Sequence, residues 1–251
     1  MKTPSFRVDG RSALVTGAGR GIGLAAAHAL AQAGAVVTLA ARTATELARA
    51  CFEINAAGGR ATAWVVDVTD SSAVAAGVAE RGPFRILVNN AGMNRPRLIT
   101  ETSDADLDDV LNLNVKATFY VAREVARGLL AQSLSGSMIN ISSQMGHVGG
   151  PRRTVYCTTK HAVEGLTKAL AWELGTSGIR VNTLCPTFIE TEMTKPMFAD
   201  QAFRDYVTSR IALGRLGTLE DVMGAVVFLA SDAAALITGS ALMVDGGWTA
   251  A

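Results

Sequence analysis

Short, continuous apolar runs alternate along the chain with longer stretches whose apolar residues recur at spacings of three and four. Residues 12–16, 36–40, 63–66, 86–88, 137–141, 180–184 and 241–244 form the first class. Runs this short and unbroken predict parallel strands covered on both faces, because a half-exposed strand would alternate polar and apolar positions. The second class predicts helices at 21–33, 46–57, 107–131, 155–174 and 219–229, with a helical excursion at 191–211. Within 107–131, Val110, Leu113, Ala117, Val121, Val125 and Leu129 fall on one stripe. Thr218 stands where it can cap the helix that follows. Strands separated by helices of these lengths require right-handed crossovers. The expected fold is therefore α/β, a doubly wound, mostly parallel seven-stranded sheet with helices on both faces. No linker divides residues 1–251, which read as one domain with a substrate-loop excursion at about 187–210.

Composition narrows the function. Lys and Arg total 23 against 22 Asp and Glu, a balance that carries no nucleic-acid footprint. No run of eighteen apolar residues is present and no secretory leader precedes the first strand, so no membrane partner and a cytoplasmic location are expected. Cys51, Cys157 and Cys185 are far apart and lack metal-ligand spacing. His28, His147 and His161 have no nearby acidic partners in the sequence, so no metal site is expected. Asn140 begins a glycosylation triplet, but it lies within a predicted strand.

The first strand ends in Thr16-Gly17-Ala18-Gly19-Arg20-Gly21-Ile22-Gly23 and runs straight into a helix. Glycines here permit a tight turn and close approach of a diphosphate to the free amides at the helix start. A Walker loop is excluded, because no Gly-Lys-Ser/Thr follows. The second strand ends Leu39-Ala40-Ala41-Arg42, without the acidic residue that would bind an adenosine ribose. Arg42, with Arg20 opposite, can instead pair with a ribose phosphate. This favours NADP(H), with NAD(H) as the second option.

With these motifs in order, the chain resembles a classical short-chain dehydrogenase/reductase over nearly its whole length, which implies a Rossmann fold. The resemblance assigns Gly17, Gly19, Arg20, Gly21, Ile22 and Gly23 to the cofactor turn, and Asp67 and Val68 to the adenine side. Asn89-Asn90-Ala91-Gly92 matches the family's NNAG segment, placing Asn89, Ala91 and Gly92 beside the cofactor. Asn114, Ser143, Tyr156 and Lys160 match the catalytic tetrad. Pro186, Thr187, Ile189 and Thr191 match the nicotinamide side, except that Thr187 stands where the family usually has glycine. The resemblance also implies a homotetramer or homodimer. The helices at 107–131 and 155–174 carry more apolar residues than the sheet alone requires.

These residues can carry a hydride-transfer reaction between a nicotinamide and a small-molecule carbonyl or alcohol. A tyrosine can protonate the nascent alkoxide, and a lysine four residues on lies on the same helix face and favours tyrosinate. Ser143 can hold the substrate oxygen beside Tyr156. In the family the counterpart of Asn114 supports a water that links the lysine to solvent. A serine hydrolase is excluded by the absence of a nucleophile elbow.

Substrate contacts are expected from Asn94, Gln144, His147 and Arg153, with Ser143, which would suit a polyol, a sugar acid or another oxygenated carbonyl compound. Met193, Met197, Phe198, Phe203 and Tyr206 could cover an apolar portion of the substrate. An acyl-carrier-type ketoreductase is the alternative. Its basic docking positions correspond here to Leu134 and Ser177, neither of them basic. A non-catalytic, nicotinamide-sensing regulator would be expected to have lost part of the Ser143, Tyr156 and Lys160 set, and all three are present.

Overall fold

The computed structural model describes residues 1–192 and 194–250. Seven parallel strands lie in the order β3-β2-β1-β4-β5-β6-β7. They are β1 (Ser12–Thr16), β2 (Val36–Ala41), β3 (Arg60–Val65), β4 (Ile86–Asn89), β5 (Gly136–Ile141), β6 (Ile179–Pro186) and β7 (Ala241–Val244). The order reverses between β1 and β4. In open sheets of this kind the crevice beyond the carboxyl ends of the strands at that reversal is the natural ligand site.

One face of the sheet is covered by α1 (Gly21–Gln32), α2 (Ala44–Ala56) and α8 (Leu219–Ala230). Leu30, Leu47, Ile54, Val222, Val226 and Leu229 are buried there against Val15, Val37 and Leu39. The other face carries α3 (Ser71–Arg81), α5 (Thr118–Ala131) and α6 (Thr154–Leu174), which bury Val74, Val78, Val121, Val125, Leu129 and Leu174. Burial on both faces explains why the central strands read as unbroken apolar runs. Thr218 caps α8 as expected, in a box with Asp221, whose carboxylate also pairs with Arg215.

Three expectations need correction. Helix α3 was not expected. It has a thin apolar stripe and starts on Asp70, whose side chain accepts from the amides of Ser72 and Ala73. The single helix expected over 107–131 is α4 (Asp104–Leu111) and α5 joined by a π-helical segment, Asn112–Ala117. The excursion is a short 3-10 turn, Lys195–Ala199, followed by α7 (Gln201–Ser209), not one helix; residue Met193 lies outside the described residues. Phe198 and Phe203 do not form an open apolar wall. They pack with Phe188, which also meets Trp248, at ring separations of 5.8 to 6.0 Å. Their apolar surface holds the excursion to the body of the protein.

Among the described residues, no helix is long and apolar enough to cross a membrane.

Candidate active site

The glycine turn is shaped to receive a diphosphate. Gly17 and Gly21 have φ of 63° and 57°, a region that penalises any side chain. Helix α1 begins without a side-chain cap and without an acidic residue in its first turn, leaving its first amides free for an anion. Asn90 latches the turn from β4's end: its Nδ2 donates to the carbonyls of Thr16 and Gly17 at 3.0 and 3.1 Å. The amides of Asn90 and Ala91 both donate to Thr16 Oγ1. The expected site residues missed Asn90, although its NNAG segment was legible. Asn89, assigned to the cofactor, instead donates to Thr118 O at the start of α5 and to Asn140 Oδ1 on β5. Asn140 is fully buried and donates to Thr167, consistent with discounting it as a glycan acceptor.

A groove of about 540 Å³ is lined by Arg42, Asp67, Thr69, Leu113 and Lys116. Asp67 accepts from the amide and hydroxyl of Thr69, which hold its carboxyl below the usual range. Val68 is buried behind it. Arg42 is largely exposed and only loosely faces Asp67, at 4.0 Å, while Arg20 lies 3.6 Å from Glu46. Glu46 belongs to α2, yet its carboxylate lies over Gly19, close enough to meet a Cβ there. The turn, the uncapped helix start and the groove fit a dinucleotide.

The far wall is built by the segment after β6. Ile189 is buried and bridges to Gly217. A Cβ on Gly21 would meet only Thr191 Cγ2, 3.8 Å away, so the excursion begins opposite the glycine turn. Thr187 follows Pro186 and donates its amide to Val244 O at 3.2 Å. It is absent from the non-glycine residues with positive φ, so a β-branched residue fits here without backbone strain.

Helix α6 carries Tyr156 and Lys160 on one face, with the ammonium 5.5 Å from the tyrosine ring centroid. Lys160 is buried, and its Nζ donates to Ile141 O at 2.7 Å. Burial pulls its pKa down to about 8 against the opposing fields of Cys185 and Glu164. Burial raises the Tyr156 hydroxyl above its ordinary value, while the Ser143 hydroxyl and the Arg153 guanidinium pull it back. Ser143 Oγ accepts from Met145 N at 3.1 Å, which fixes its rotamer at the start of the 144–146 turn. Asn114 lies in the π-helical segment. Its side chain clamps both backbone groups of Met93 and donates to Thr159 Oγ1. This side chain is a positioning group that ties the loop after β4 to α6.

A pH dependence follows. Lys160 is charged in the cofactor-free protein below about pH 8. An anionic cofactor favours the charged form, so above that pH binding must take up a proton. The NADP(H) dissociation constant is expected to rise between about pH 8 and the ordinary lysine value of 10.5. Fluorescence titrations across this range would show no trend if Lys160 stayed charged.

Three of the five side chains expected to contact substrate share an unusual property. Asn94 Oδ1, Gln144 Oε1 and Arg153 Nη1 are buried without a hydrogen-bond partner, as are Thr187 Oγ1, expected on the nicotinamide side, and Ser142 Oγ. These are the described residues' buried side-chain polar atoms lacking partners, and they come from the loops after β4, β5 and β6. Arg95, by contrast, is held by Asp106 and Asp109 of α4. His147 differs from expectation in another way: its Nε2 lies 3.3 Å from Glu164 Oε1. With Cys185 these residues form a cluster of ligand-type atoms, so the expectation that no histidine has an acidic partner fails here. Residues 147, 164 and 185 are too far apart in sequence to show ligand spacing.

Comparison with known proteins agrees with this geometry. The profile of a family described as enoyl-(acyl carrier protein) reductase matches residues 17–249. The chain belongs to the classical short-chain dehydrogenase/reductase family. It is 43% identical over 248 residues to the gluconate 5-dehydrogenase of Gluconobacter oxydans, covering 97% of this chain and 96% of that one. A structure from Agrobacterium tumefaciens with bound NADP, described as a 2-deoxy-D-gluconate 3-dehydrogenase, superposes with a TM-score of 0.95 at 44% identity and full coverage of both chains. A Burkholderia cenocepacia gluconate 5-dehydrogenase in complex with NADP and tartrate gives 0.94 at 38% identity, with 98% of each chain covered. The protein is an NAD(P)-dependent oxidoreductase that interconverts an alcohol and a carbonyl group.

Proposed function

We propose that the substrate is a hydroxylated carboxylic acid of the sugar-acid class, oxidised or reduced at a secondary alcohol or ketone carbon, with NADP(H) preferred. The unpartnered buried atoms carry this reading. A buried polar atom without a partner costs about 1–3 kcal/mol, so a group of them in the loops after β4, β5 and β6 supports a ligand that completes them. Amide oxygens and hydroxyls suit a polyol's hydroxyl groups, and the Arg153 guanidinium suits a carboxylate. Arg153 occupies the uncapped N-terminus of α6, and only 9% of its surface is exposed. The preceding residue, Arg152, has φ of 60°, and Arg152 O accepts from Arg97 N. That conformation is costly for a non-glycine residue and supports a turn kept to aim Arg153 inward. The named relatives act on, or hold, polyhydroxy acids.

The bound nicotinamide supplies or accepts the hydride. Ser143 would hold the substrate oxygen and Tyr156 would deliver or remove its proton. Lys160 would favour tyrosinate and bind the nicotinamide ribose. An acyl-carrier thioester fits less well, because its reacting keto group has no neighbouring carboxylate for Arg153.

Replacing Arg153 with Met separates these readings. The catalytic efficiency for a keto-sugar acid is expected to fall about 100-fold, while that for a neutral ketose changes little. The melting temperature should rise, because a guanidinium with a buried, unpartnered nitrogen is removed. Equal losses for charged and neutral substrates would contradict the carboxylate assignment. For the cofactor, Arg42→Ala is expected to weaken NADPH about 10- to 100-fold and leave NADH nearly unchanged. An equal loss for both would remove the phosphate role.

Assembly through the outer face of α5 and α6 is part of the same proposal, as a homodimer or homotetramer. Trp172 is 89% exposed, and Phe119 and Leu130 are also exposed there, surface that a second copy would cover. Trp172→Glu should shift the sedimentation coefficient toward the monomer. A cytoplasmic location is consistent with the three free cysteines.

A further inference from the structure

Beside the proton-transfer groups, three elements bring a nitrogen, an oxygen and a sulfur to one point. His147 follows the turn after Ser143, Glu164 lies on α6 one turn beyond Lys160, and Cys185 is the penultimate residue of β6. His147 Nε2 lies 3.6 Å from Cys185 Sγ and 3.3 Å from Glu164 Oε1, and the sulfur lies 3.4 Å from the same oxygen. A tetrahedral zinc ion has bonds of about 2.3 Å to sulfur and about 2.0–2.1 Å to nitrogen and oxygen. Those bonds set the corresponding edges at about 3.5, 3.3 and 3.5 Å. The three side chains therefore already stand at coordination separations.

The surroundings favour the same reading. Thr183 Oγ1 donates to Glu164 Oε2 at 2.9 Å, which turns Oε1 toward His147 and Cys185. Ser142 Oγ is buried and unpartnered. A Cβ on Gly146 would lie 2.8 Å from that oxygen and 3.2 Å from Glu164 Cγ, so glycine lets the turn close over the carboxylate. The His147 side chain is 26% exposed against 7% for Glu164, leaving a route from solvent.

We propose that His147, Glu164 and Cys185 bind a zinc-class divalent cation that pins the turn after Ser143 to α6 and β6. The donor set of imidazole, carboxylate and thiolate suits zinc and disfavours magnesium or calcium. As the metal–sulfur bond forms, the Cys185 thiol proton passes to solvent. The thiolate and carboxylate then balance the two positive charges, and a water or the Ser142 hydroxyl takes the fourth position. His147 would thus hold a cation, not the substrate.

The test is cobalt and zinc binding by the full-length protein, stripped with a chelator and kept reduced with a phosphine. Wild type is expected to bind one Co²⁺ per chain, with a thiolate-to-cobalt band in the near ultraviolet that Zn²⁺ abolishes. Zn²⁺ should also raise the melting temperature. Cys185→Ala should lose the band, and Cys185→Ala and His147→Asn should each weaken binding about 100-fold. Cys51→Ser and Cys157→Ser should bind as wild type does. His147 is on an exposed turn, so its variant remains informative if Cys185→Ala proves unstable. Absence of the thiolate band in wild type, or unchanged cobalt affinity in His147→Asn, would show a hydrogen-bonded triad only and overturn the proposal. Neither readout depends on which substrate the enzyme uses.

Discussion

Tyr156→Phe is expected to lower turnover about 1,000-fold while leaving NADP(H) binding and the melting temperature close to wild type. The substitution removes one oxygen from a half-buried side chain and keeps the ring that packs 5.5 Å from the Lys160 ammonium. No other nearby group can replace the hydroxyl. Lys160 Nζ is committed to Ile141 O at 2.7 Å, and Arg153 is a guanidinium with no proton to give at neutral pH. Ser143 carries a hydroxyl, but an alcohol is a far weaker acid than a phenol. Single-turnover hydride transfer, followed by loss of reduced-nicotinamide absorbance, measures the chemical step, and cofactor titration measures binding. A loss smaller than about tenfold would place the proton route elsewhere. A parallel loss of cofactor affinity would mean that the tyrosine acts mainly in binding.

Much of the fold was legible because each central strand is buried on both faces. Strand β7 matches its expected bounds of 241–244, and β1 its bounds of 12–16. Strand β3 was read as 63–66 but spans Arg60–Val65, because it is the edge strand and only Ala61 and Trp64 among its residues are buried. Helix α3 escaped notice because its buried face is Val74, Gly77 and Val78, too slight for a periodic signal. Gly77 packs so closely on Trp64 that an added Cβ would lie 2.0 Å from the indole. The π-helical segment was hidden for the opposite reason. The apolar stripe from Val110 to Leu129 continues through it, and periodicity registers the face but not the hydrogen-bond register.

At the site, the glycine turn and the set of Asn114, Ser143, Tyr156 and Lys160 could be singled out from sequence order, because these residues sit in short motifs at the ends of strands or on one helix face. Contacts assembled from distant segments were not legible. Asn90 reaches back to residues 16 and 17, and the His147–Glu164–Cys185 cluster joins a turn, a helix and a strand. The unpartnered state of Arg153 was equally invisible. Arg95 has the same side chain in a neighbouring loop, but α4 supplies it with two carboxylates.

Gly23→Ala is expected to weaken NADP(H) binding about 100-fold or more, an effect opposite in kind to that of Tyr156→Phe. A Cβ at position 23 would lie 2.3 Å from Gly17 O and 2.4 Å from Asn90 Nδ2. Both atoms belong to the latch that closes the turn, so neither can retreat without breaking the bond between them, 3.1 Å long. The turn must open, and the free amides of α1 then lose their common aim at the diphosphate. Overpacking of this type also costs about 1–3 kcal/mol of stability. Turnover at saturating cofactor should nevertheless survive, because Tyr156 and Lys160 stand on α6, across the sheet from α1. Gly224→Ala is the control: it is an exposed position of α8 with nothing within 4 Å of an added Cβ. That substitution should raise stability by up to about 1 kcal/mol, the ordinary helix-propensity gain. Calorimetric NADP(H) titrations of the two variants decide the point. Wild-type affinity in Gly23→Ala would mean that the turn tolerates a wider path than its present geometry allows.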